Sequence, residues 1–420
     1  MLDPNTWRII DWPAEQTPML VVVVDTEAEF DWEAHGPRRA VGVGSVKYQD
    51  RAQQIFARYG VRPTFVLDYP VSSTPEAYEF IRETHRTGAC EIGAHLQPWD
   101  NPPFVEPRTD ENSYPGNLPF ELEREKLLQL TRAIETNLGV RPRVYKAGRY
   151  GVGPATARIL AELGYEIDVS VVPGTDLSCK FGPNFLHCRA SPYWFGADPA
   201  LLEIPLSIGY TGLLADTGNV AYTLTMNERL KTWHVPGILA RLGVVERITL
   251  TPEGISFEEL RRLSRALLRK GHRVFNFTYH SPSLAPGNTP YVRSEADLKT
   301  FLQRIEQYLR FFTEEIGGRG ATPFEVKALA ERWSSLQHAA PEHGHAPAPH
   351  AADQGRGRHP AHGLRHGDHR LARVRLAQDR DPGQPVLEPP RAGRHGPGRA
   401  LHGRHDQRWP RRAVQRPDAR

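Results

Sequence analysis

Cysteine is scarce in this chain, and long apolar runs are missing. The three cysteines, Cys90, Cys179 and Cys188, are odd in number and widely spaced. This pattern argues against a disulfide framework and favours a reducing compartment. No segment approaches the roughly 18 uninterrupted apolar residues of a membrane-spanning helix. Residues 1–18 also lack the apolar core of a signal peptide. We therefore expect a cytoplasmic protein without a membrane span.

The last 83 residues, 338–420, lack most of the residue types that build a core. They contain no Lys, Ile, Phe, Tyr, Met, Ser, Thr, Asn or Cys, and Trp409 is their one aromatic residue. They hold 11 of the 18 histidines and carry +8, which leaves residues 1–337 at −4. This composition predicts a disordered tail, and translation of GC-rich DNA out of frame would also produce it. No aromatic ladder or Cys/His spacing indicates nucleic-acid binding.

Residues 19–327 alternate between strand-like apolar runs and amphipathic helical patterns. Seven or eight such repeats predict a parallel α/β sheet, either closed as a barrel or open and doubly wound. We find no repeat of fixed period and no glycine-rich phosphate loop. The predicted division is an N-terminal extension at 1–18, a barrel at 19–327, a linker at 328–337 and the tail. The longest predicted helices include 120–137, 227–242 and 294–315.

Ionisable residues recur where the predicted strands stop. The first strand, Met19 to Val24, is apolar and ends in four carboxylates within seven residues. Later strand ends carry imidazole, ammonium, guanidinium and carboxylate groups. The residues in question are Asp25, Glu27, His95, Lys146, Arg149, Asp168 and His280. Each has a structural explanation when taken alone, such as a hydrogen-bonded cap or an Asp168–Arg149 ion pair. In a parallel sheet, however, these side chains emerge on one rim.

Carboxylates and imidazoles on one rim are the groups that metal-assisted hydrolysis requires. They suit Zn²⁺ or a similar divalent ion with one position open to water. Such an ion lowers the pKa of that water and polarises a carbonyl oxygen. A neighbouring carboxylate then takes a proton, and an imidazolium protonates the leaving nitrogen. The pattern therefore predicts a metal-dependent hydrolase.

Four segments resemble the motifs of the polysaccharide deacetylases, carbohydrate esterase family four. They are Val24-Asp-Thr-Glu27 with Phe30-Asp-Trp32, Glu91-Ile-Gly-Ala-His-Leu-Gln-Pro-Trp99, Ala147-Gly-Arg-Tyr-Gly151, and Tyr279-His-Ser-Pro-Ser-Leu-Ala-Pro-Gly-Asn-Thr-Pro-Tyr291. The last motif is the most specific of the four. The resemblance covers roughly residues 18–327 and is closest to a soluble branch without a signal peptide. It implies an irregular (β/α)7 barrel.

The resemblance also implies residue roles. Asp25 matches the catalytic base, and His280 matches the acid that protonates the leaving group. Glu27 and His95 are the implied metal ligands, with Asp31 a more distant candidate.

The chain departs from the family pattern at the other ligand positions and in the third motif. Thr26 stands at the position of the metal-binding Asp, and Trp99 stands at that of the second metal-binding His. A His two residues after His95 would be a plausible substitute ligand, but that position holds Gln97. For the residue that orients the base we favour Arg149 over Lys146, because Arg binds a carboxylate through two parallel hydrogen bonds.

Substrate contacts are predicted for aromatic residues of these motifs and for two charged residues outside them. Trp32, Trp99 and Tyr291 have rings that stack on sugars, although packing of the rim explains them equally well. Lys146 and Asp168 are the predicted polar contacts.

Three functions are compatible with the sequence. The first is a metal-dependent hydrolase that removes an N-acetyl group from a sugar or polysaccharide precursor. The second is a hydrolase of a linear or cyclic amide that is not a sugar, since fold does not determine substrate. The third is a metal-free carbohydrate-binding protein that has lost catalysis, which Thr26, Gln97, Trp99 and Lys146 favour.

Overall fold

The computed structural model describes residues 3–30, 40–197, 200–213 and 245–339. Its strands are β1 Arg8–Ile9, β2 Met19–Thr26, β3 Glu29–Phe30, β4 Ala40–Gly42, β5 Thr64–Leu67, β6 Glu91–Leu96, β7 Val144–Ala147, β8 Ile167–Asp168, β9 Tyr193–Phe195, β10 Leu201–Glu203, β11 Ile208–Thr211, β12 Glu246–Thr249, β13 Val274–His280 and β14 Arg319–Gly320. Its helices are α1 Gln49–Arg58, α2 Tyr69–Ser73, α3 Pro75–Arg86, α4 Phe120–Leu138, α5 Thr156–Glu162, α6 Phe257–Arg269, α7 Glu295–Arg310 and α8 Pro323–Ala339.

Parallel strands form the centre of the main sheet. Their order is β13-β2-β5-β6-β7-β8-β10, and each neighbouring pair is parallel. Helices cover the connections between most of these strands, as expected for β/α repeats. The antiparallel strands β9 and β1 extend one edge, and the short β14 pairs with the start of β2. The predicted parallel α/β sheet is confirmed.

Hydrogen bonds join the two ends of this parallel array into an irregular (β/α)7 barrel. The amide nitrogen of the Asn276 side chain, on β13, donates to the backbone oxygen of Ile204, just after β10. The backbone N–H of Asn276 donates to the Ser207 hydroxyl over 2.9 Å. Ser207 in turn donates its backbone N–H to the Asn276 oxygen over 3.4 Å. Side-chain and irregular backbone bonds therefore close the barrel where a regular strand pair is missing.

The two faces of the sheet bury different cores. Alternate residues of a strand point to opposite faces. Leu20, Val22 and Val24 of β2 pack in a large cluster with helix residues such as Phe56 and Leu130. We call this the helix-facing side.

The intervening residues of β2 face the other way. Met19, Val21 and Val23 join a second cluster with Val144 and Ile167 of the neighbouring strands, which we call the inner side. Val326 and Ala330 of α8 belong to the same inner cluster. Because Asp25 continues this alternation, its side chain points to the inner side.

The predicted domain division needs two corrections. Residues 8–9 of the predicted N-terminal extension pair with β9, and Ile10 is buried in the inner core. The predicted linker at 328–337 lies within α8, whose Ala330 is fully buried. Both segments supply apolar side chains that the barrel buries.

Some predictions fall outside the described residues. These are Asp31, Trp32, the helix at 227–242 and the tail from residue 340 onward. Within the described ranges, no helix is both long and apolar enough to cross a membrane.

Candidate active site at the carboxyl ends of the strands

The end of β2 is held in place by neighbouring polar groups. The backbone N–H of Glu27 donates to the Ser281 hydroxyl over 3.2 Å. The next N–H, of Ala28, donates to the Asp68 carboxylate over 2.7 Å. The other oxygen of Asp68 accepts from Val71 N–H and caps α2. Both bonds fix the turn that carries Asp25 and Glu27.

Asp25 lies between two basic side chains. Its Oδ1 accepts a hydrogen bond from Lys146 Nζ over 2.6 Å, and its Oδ2 lies 3.6 Å from His280 Nε2. His280 is aligned with Asp25 across the β13–β2 pair, and Lys146 comes from β7 on the opposite wall. Lys146 also donates to Thr278 Oγ1 over 3.1 Å. Three strands therefore bring a carboxylate, an ammonium and an imidazole together.

The charges in this site shift the pKa values of Asp25 and His280 in opposite directions. Burial alone would raise the pKa of Asp25, but the charges of Lys146, His95 and His280 hold it below its ordinary value. Burial alone would lower the pKa of His280, but the carboxylates of Glu253, Glu27 and Asp25 raise it to about 9. Asp25 is therefore ionised at neutral pH, and His280 is protonated.

Glu253 holds His280 from the side away from Asp25. One Glu253 oxygen lies 2.8 Å from His280 Nδ1, and the other accepts the His280 backbone N–H over 3.1 Å. The Ser283 hydroxyl also donates to Glu253 over 2.5 Å. The Glu253 side chain is 5% exposed, so water competes little for these bonds. They fix the orientation of the His280 ring and place its Nε2 toward Asp25.

His95, Glu27 and Gln97 form the neighbouring part of the site. His95 Nε2 lies 3.6 Å from Glu27 Oε2, and the Gln97 amide nitrogen donates to the same oxygen. His95 Nδ1 lies 3.2 Å from the backbone oxygen of Lys146. Because a carbonyl only accepts, Nδ1 carries the hydrogen, and Nε2 faces the carboxylate. Among the described residues, no three His, Cys, Asp or Glu side chains gather as a metal cluster.

The turn after β7 has an unusual backbone. A Cβ on Gly148 would lie 2.6 Å from the Leu96 oxygen, so only glycine allows β6 and β7 to approach here. Arg149 and Tyr150 follow with φ values of 53° and 59°, a region that costs non-glycine residues about 1–3 kcal/mol each. Burial raises the pKa of Tyr150, and the charges of Asp25 and Glu253 add to this effect. The strained turn therefore brings Tyr150 next to the carboxylates.

Arg149 is not the residue that contacts Asp25. Its guanidinium donates to the Ser113 hydroxyl over 2.5 Å and stacks over the Tyr114 ring at 4.5 Å. Lys146 makes the predicted contact with Asp25 instead. Lys146 continues the inner side of β7 two residues after Val144, whereas Arg149 lies beyond the turn. Lys146 is also 1% exposed, so its predicted contact with substrate is replaced by a contact with Asp25.

Asp168 lies on the wrong side of the sheet for a substrate contact. It is aligned with Tyr145, which packs on the helix-facing side, and not with Lys146. It is fully buried and accepts a hydrogen bond from the Ser170 hydroxyl over 2.6 Å. A shift of one residue along a strand exchanges the two faces, and this explains the error.

The predicted aromatic contacts differ in accessibility. Trp99 is 7% exposed and packs edge-on against Phe30, with ring centroids 6.1 Å apart. This packing replaces its predicted contact with a sugar ring. Tyr291 is 40% exposed and lies near Gly254, one residue after Glu253. Trp32 lies outside the described residues.

Sequence reasoning missed Glu253. This residue comes soon after the end of β12, so the strand-end signal that identified Asp25 and His95 was present here too. A single acidic residue between Pro252 and Gly254 resembles an ordinary turn, and its bond to His280 spans 27 residues. The contact is therefore a product of the tertiary structure.

The comparisons with known proteins give matches among solved structures. No family model and no curated protein matches the sequence. A Mycobacterium smegmatis protein described as a polysaccharide deacetylase is 19% identical, with a TM-score of 0.46, over 80% of this chain and 96% of that chain. A Pseudomonas aeruginosa protein with the same description is 16% identical, with a TM-score of 0.44, over 77% and 93%.

A further match is a pseudoenzyme of carbohydrate esterase family four from Bacillus anthracis. It is 11% identical, with a TM-score of 0.37, over 74% of this chain and 65% of that chain. In its motifs, the chain resembles the polysaccharide deacetylases, carbohydrate esterase family four.

Proposed function

We propose that this protein is a hydrolase that removes an N-acetyl group from a sugar or polysaccharide precursor. The observation that carries the proposal is the pairing of Asp25 and His280, 3.6 Å apart on adjacent strands. One is an ionised carboxylate and the other a protonated imidazole. Two titratable groups whose surroundings push their pKa values apart are suited to act as base and acid.

The proposed reaction needs one proton acceptor and one proton donor. Asp25 takes a proton from water as the water oxygen bonds to the acetamide carbonyl carbon. His280 gives its proton to the nitrogen as the C–N bond breaks, and the products are acetate and a free amine. Lys146 keeps Asp25 ionised, and Glu253 keeps His280 oriented. Each proton therefore has a named donor and acceptor.

Glu27 and His95 are the residues that would hold a divalent ion. The donation of His95 Nδ1–H to a backbone carbonyl is the usual support of a histidine ligand, because it fixes the ring and leaves Nε2 available. A bound ion would supply positive charge to the substrate carbonyl and lower the pKa of water. Zinc is the proposed ion on the basis of the family resemblance.

The sugar substrate is supported by the family resemblance and by one accessible ring. Tyr291 lies at the edge of the site, and aromatic rings of this kind stack on the apolar faces of sugars.

The test is an assay of the purified full chain against N-acetylhexosamine conjugates and, in parallel, small linear and cyclic amides. We expect acetate release from the conjugates, with a loss of about 10²–10⁴ in kcat for His280→Ala and for Asp25→Asn. His85→Ala is the matched control, because His85 bonds the Cys90 backbone on another part of the barrel. It should keep full activity.

Three results would contradict the proposal. Full activity in both site variants would remove Asp25 and His280 from the reaction. Turnover of the small amides alone would replace the sugar with another amide. Binding of sugar conjugates without turnover, at any divalent ion concentration, would indicate a binding protein.

A further inference from the structure

The loop before α4 locks the strained turn after β7 in place. Gly116 donates its backbone N–H to the Gly151 oxygen over 2.7 Å. Gly116 and Gly153 lie so close that a Cβ on either would overlap backbone atoms of the other. We call these contacts of Gly116 the glycine interlock. A non-glycine residue at positive φ, such as Tyr150 at 59°, persists only where the surrounding structure over-determines it, and the interlock supplies that constraint.

The interlocked turn places the Tyr150 side chain close to the pair that Lys146 forms with Asp25. The Tyr150 ring centroid lies 5.6 Å from Lys146 Nζ, the atom that bonds Asp25 over 2.6 Å. Burial raises the pKa of Tyr150, and the charges of Asp25 and Glu253 raise it further. The hydroxyl is therefore protonated at neutral pH and lies near Asp25.

The Tyr150 hydroxyl is a hydrogen-bond donor without a protein partner. It makes no hydrogen bond to any residue in the described ranges. The side chain is partly buried, but its oxygen remains accessible to solvent. A protonated donor that the backbone strains into place and leaves open to the site is suited to a ligand that carries an acceptor.

We infer that the Tyr150 hydroxyl donates a hydrogen bond to the acetamide carbonyl oxygen of the substrate. The inference rests on the proposed function, in which the water oxygen bonds to the carbon of that carbonyl. The carbonyl oxygen gains negative charge as this bond forms, and a preorganised donor stabilises that charge more than it stabilises the ground state. The proton stays on Tyr150 throughout. Tyr150 is thus a catalytic residue, and Gly116 is a positioning residue that acts through it.

The first test measures kcat and KM of the purified full chain on an N-acetylhexosamine conjugate. Tyr150→Phe removes the donor and should lower kcat by about 10²–10³-fold, while KM rises by less than about tenfold. The matched control is Tyr165→Phe, because the Tyr165 hydroxyl bonds Thr131 in the helix-facing core. It should keep its kcat. Full kcat in Tyr150→Phe would overturn the inference.

A double-mutant cycle tests the glycine interlock. Gly116→Ala should lower kcat because its Cβ displaces the turn. In the Tyr150→Phe background the same substitution should change kcat by less than about twofold, since the donor is already missing. Equal losses in the two backgrounds would overturn the positioning role of Gly116. If Gly116→Ala does not fold, as judged by thermal unfolding, Tyr150→Phe decides the inference alone.

A binding measurement separates this inference from the proposed function. The conjugate is titrated calorimetrically into Asp25→Asn, which lacks the proposed base, with and without Tyr150→Phe. The second substitution should weaken binding by about fivefold, the contribution of one hydrogen bond. Unchanged affinity would overturn the inference and leave hydrolysis by Asp25 and His280 intact. Weaker binding, in a chain whose unaltered form shows no turnover, would keep the Tyr150 contact and remove the hydrolytic function alone.

Discussion

Two groups of buried carboxyls occupy strand ends of the main sheet, on its opposite sides. Asp25 lies on the inner side at the end of β2, and Asp168 and Glu203 lie on the helix-facing side at the ends of β8 and β10. Their exposures are similar, 3% for Asp25 and 0% for the other two. Burial therefore does not distinguish them.

The groups differ in the charges that surround them. Asp25 has the Lys146 ammonium at 2.6 Å and the His280 ring at 3.6 Å. Asp168 and Glu203 have neutral donors instead, the Ser170 hydroxyl and the Val171 N–H. Burial raises the pKa of Asp168, and it raises that of Glu203 well above its ordinary value, with the charge of Asp168 adding to the effect.

The remaining oxygens, Asp168 Oδ2 and Glu203 Oε2, receive no hydrogen bond from another described residue. A proton shared between the two carboxyls satisfies both of them. The comparison teaches that counter-charge, and not burial, makes a strand-end carboxylate available for chemistry.

The largest expected effect comes from removing the counter-charge of Asp25. Lys146→Met should lower kcat/KM at neutral pH by about 10²-fold or more, because a buried Asp25 that has lost its closest counter-charge takes up a proton. Since the pKa of Asp25 rises in this variant, activity should return as the pH increases. The pH profile of kcat/KM measures this, and Lys146→Arg should recover part of the loss.

Arg149→Met is the control for Lys146→Met. It removes a basic side chain of the same segment that is 34% exposed, and it should change kcat/KM by less than about threefold. Equal losses in the two variants would mean that a nearby positive charge, and not the Lys146 contact, sustains activity.

A second effect concerns Glu123, a buried carboxyl on α4. Burial raises its pKa to about 7 from 4.5, although the Thr156 hydroxyl opposes the shift by donating to it. The folded state thus keeps its proton at pH values where the unfolded state loses it. The stabilisation is complete below pH 4.5 and is lost as the pH rises through 7, with a total of about 3 kcal/mol.

Glu123→Gln should abolish that pH dependence. Denaturant unfolding gives the free energy of unfolding of the unaltered chain and of Glu123→Gln at pH 4.5 and at pH 8. The difference between the two proteins should change from one pH to the other. A constant difference over this range would show that folding does not raise the pKa of Glu123.

The smallest effect is expected for the shared proton. Glu203→Gln supplies an amide hydrogen in its place, so the free energy of unfolding at pH 7 should change by less than about 1 kcal/mol. Because Glu203 lies on the helix-facing side, kcat/KM should not change. A loss of 3 kcal/mol or more in chemical denaturation would show instead that Glu203 is ionised and paired with a cation.

The sequence carries most of the information about the fold. Apolar alternation predicted the strands and helices around the site, and the order of β/α repeats predicted the parallel sheet. Asp25, His95 and His280 were expected to share a rim, and the structure brings them together within the site. Their grouping follows from strand direction alone, since parallel strands end at one edge.

Side-chain partners were much harder to predict. Arg149 was favoured over Lys146 as the partner of Asp25 because of its hydrogen-bonding geometry. The alternation of side chains along β7 decides the contact instead, because it places Lys146 on the inner side with Asp25. Asp168 was expected at the site, but its neighbour in the sheet is Tyr145 and its side chain points to the helices.

The amino-acid sequence by itself determined which segments form strands, where those strands end and which ionisable groups stand at the ends, because periodicity and local backbone preferences act over a few residues. The tertiary structure alone decided which face each group occupies and which charge lies beside it. Lys146 reaches Asp25 across 121 residues, and Glu253 reaches His280 across 27. These two contacts depend on the strand register and on the closure of the barrel, which no local sequence pattern encodes.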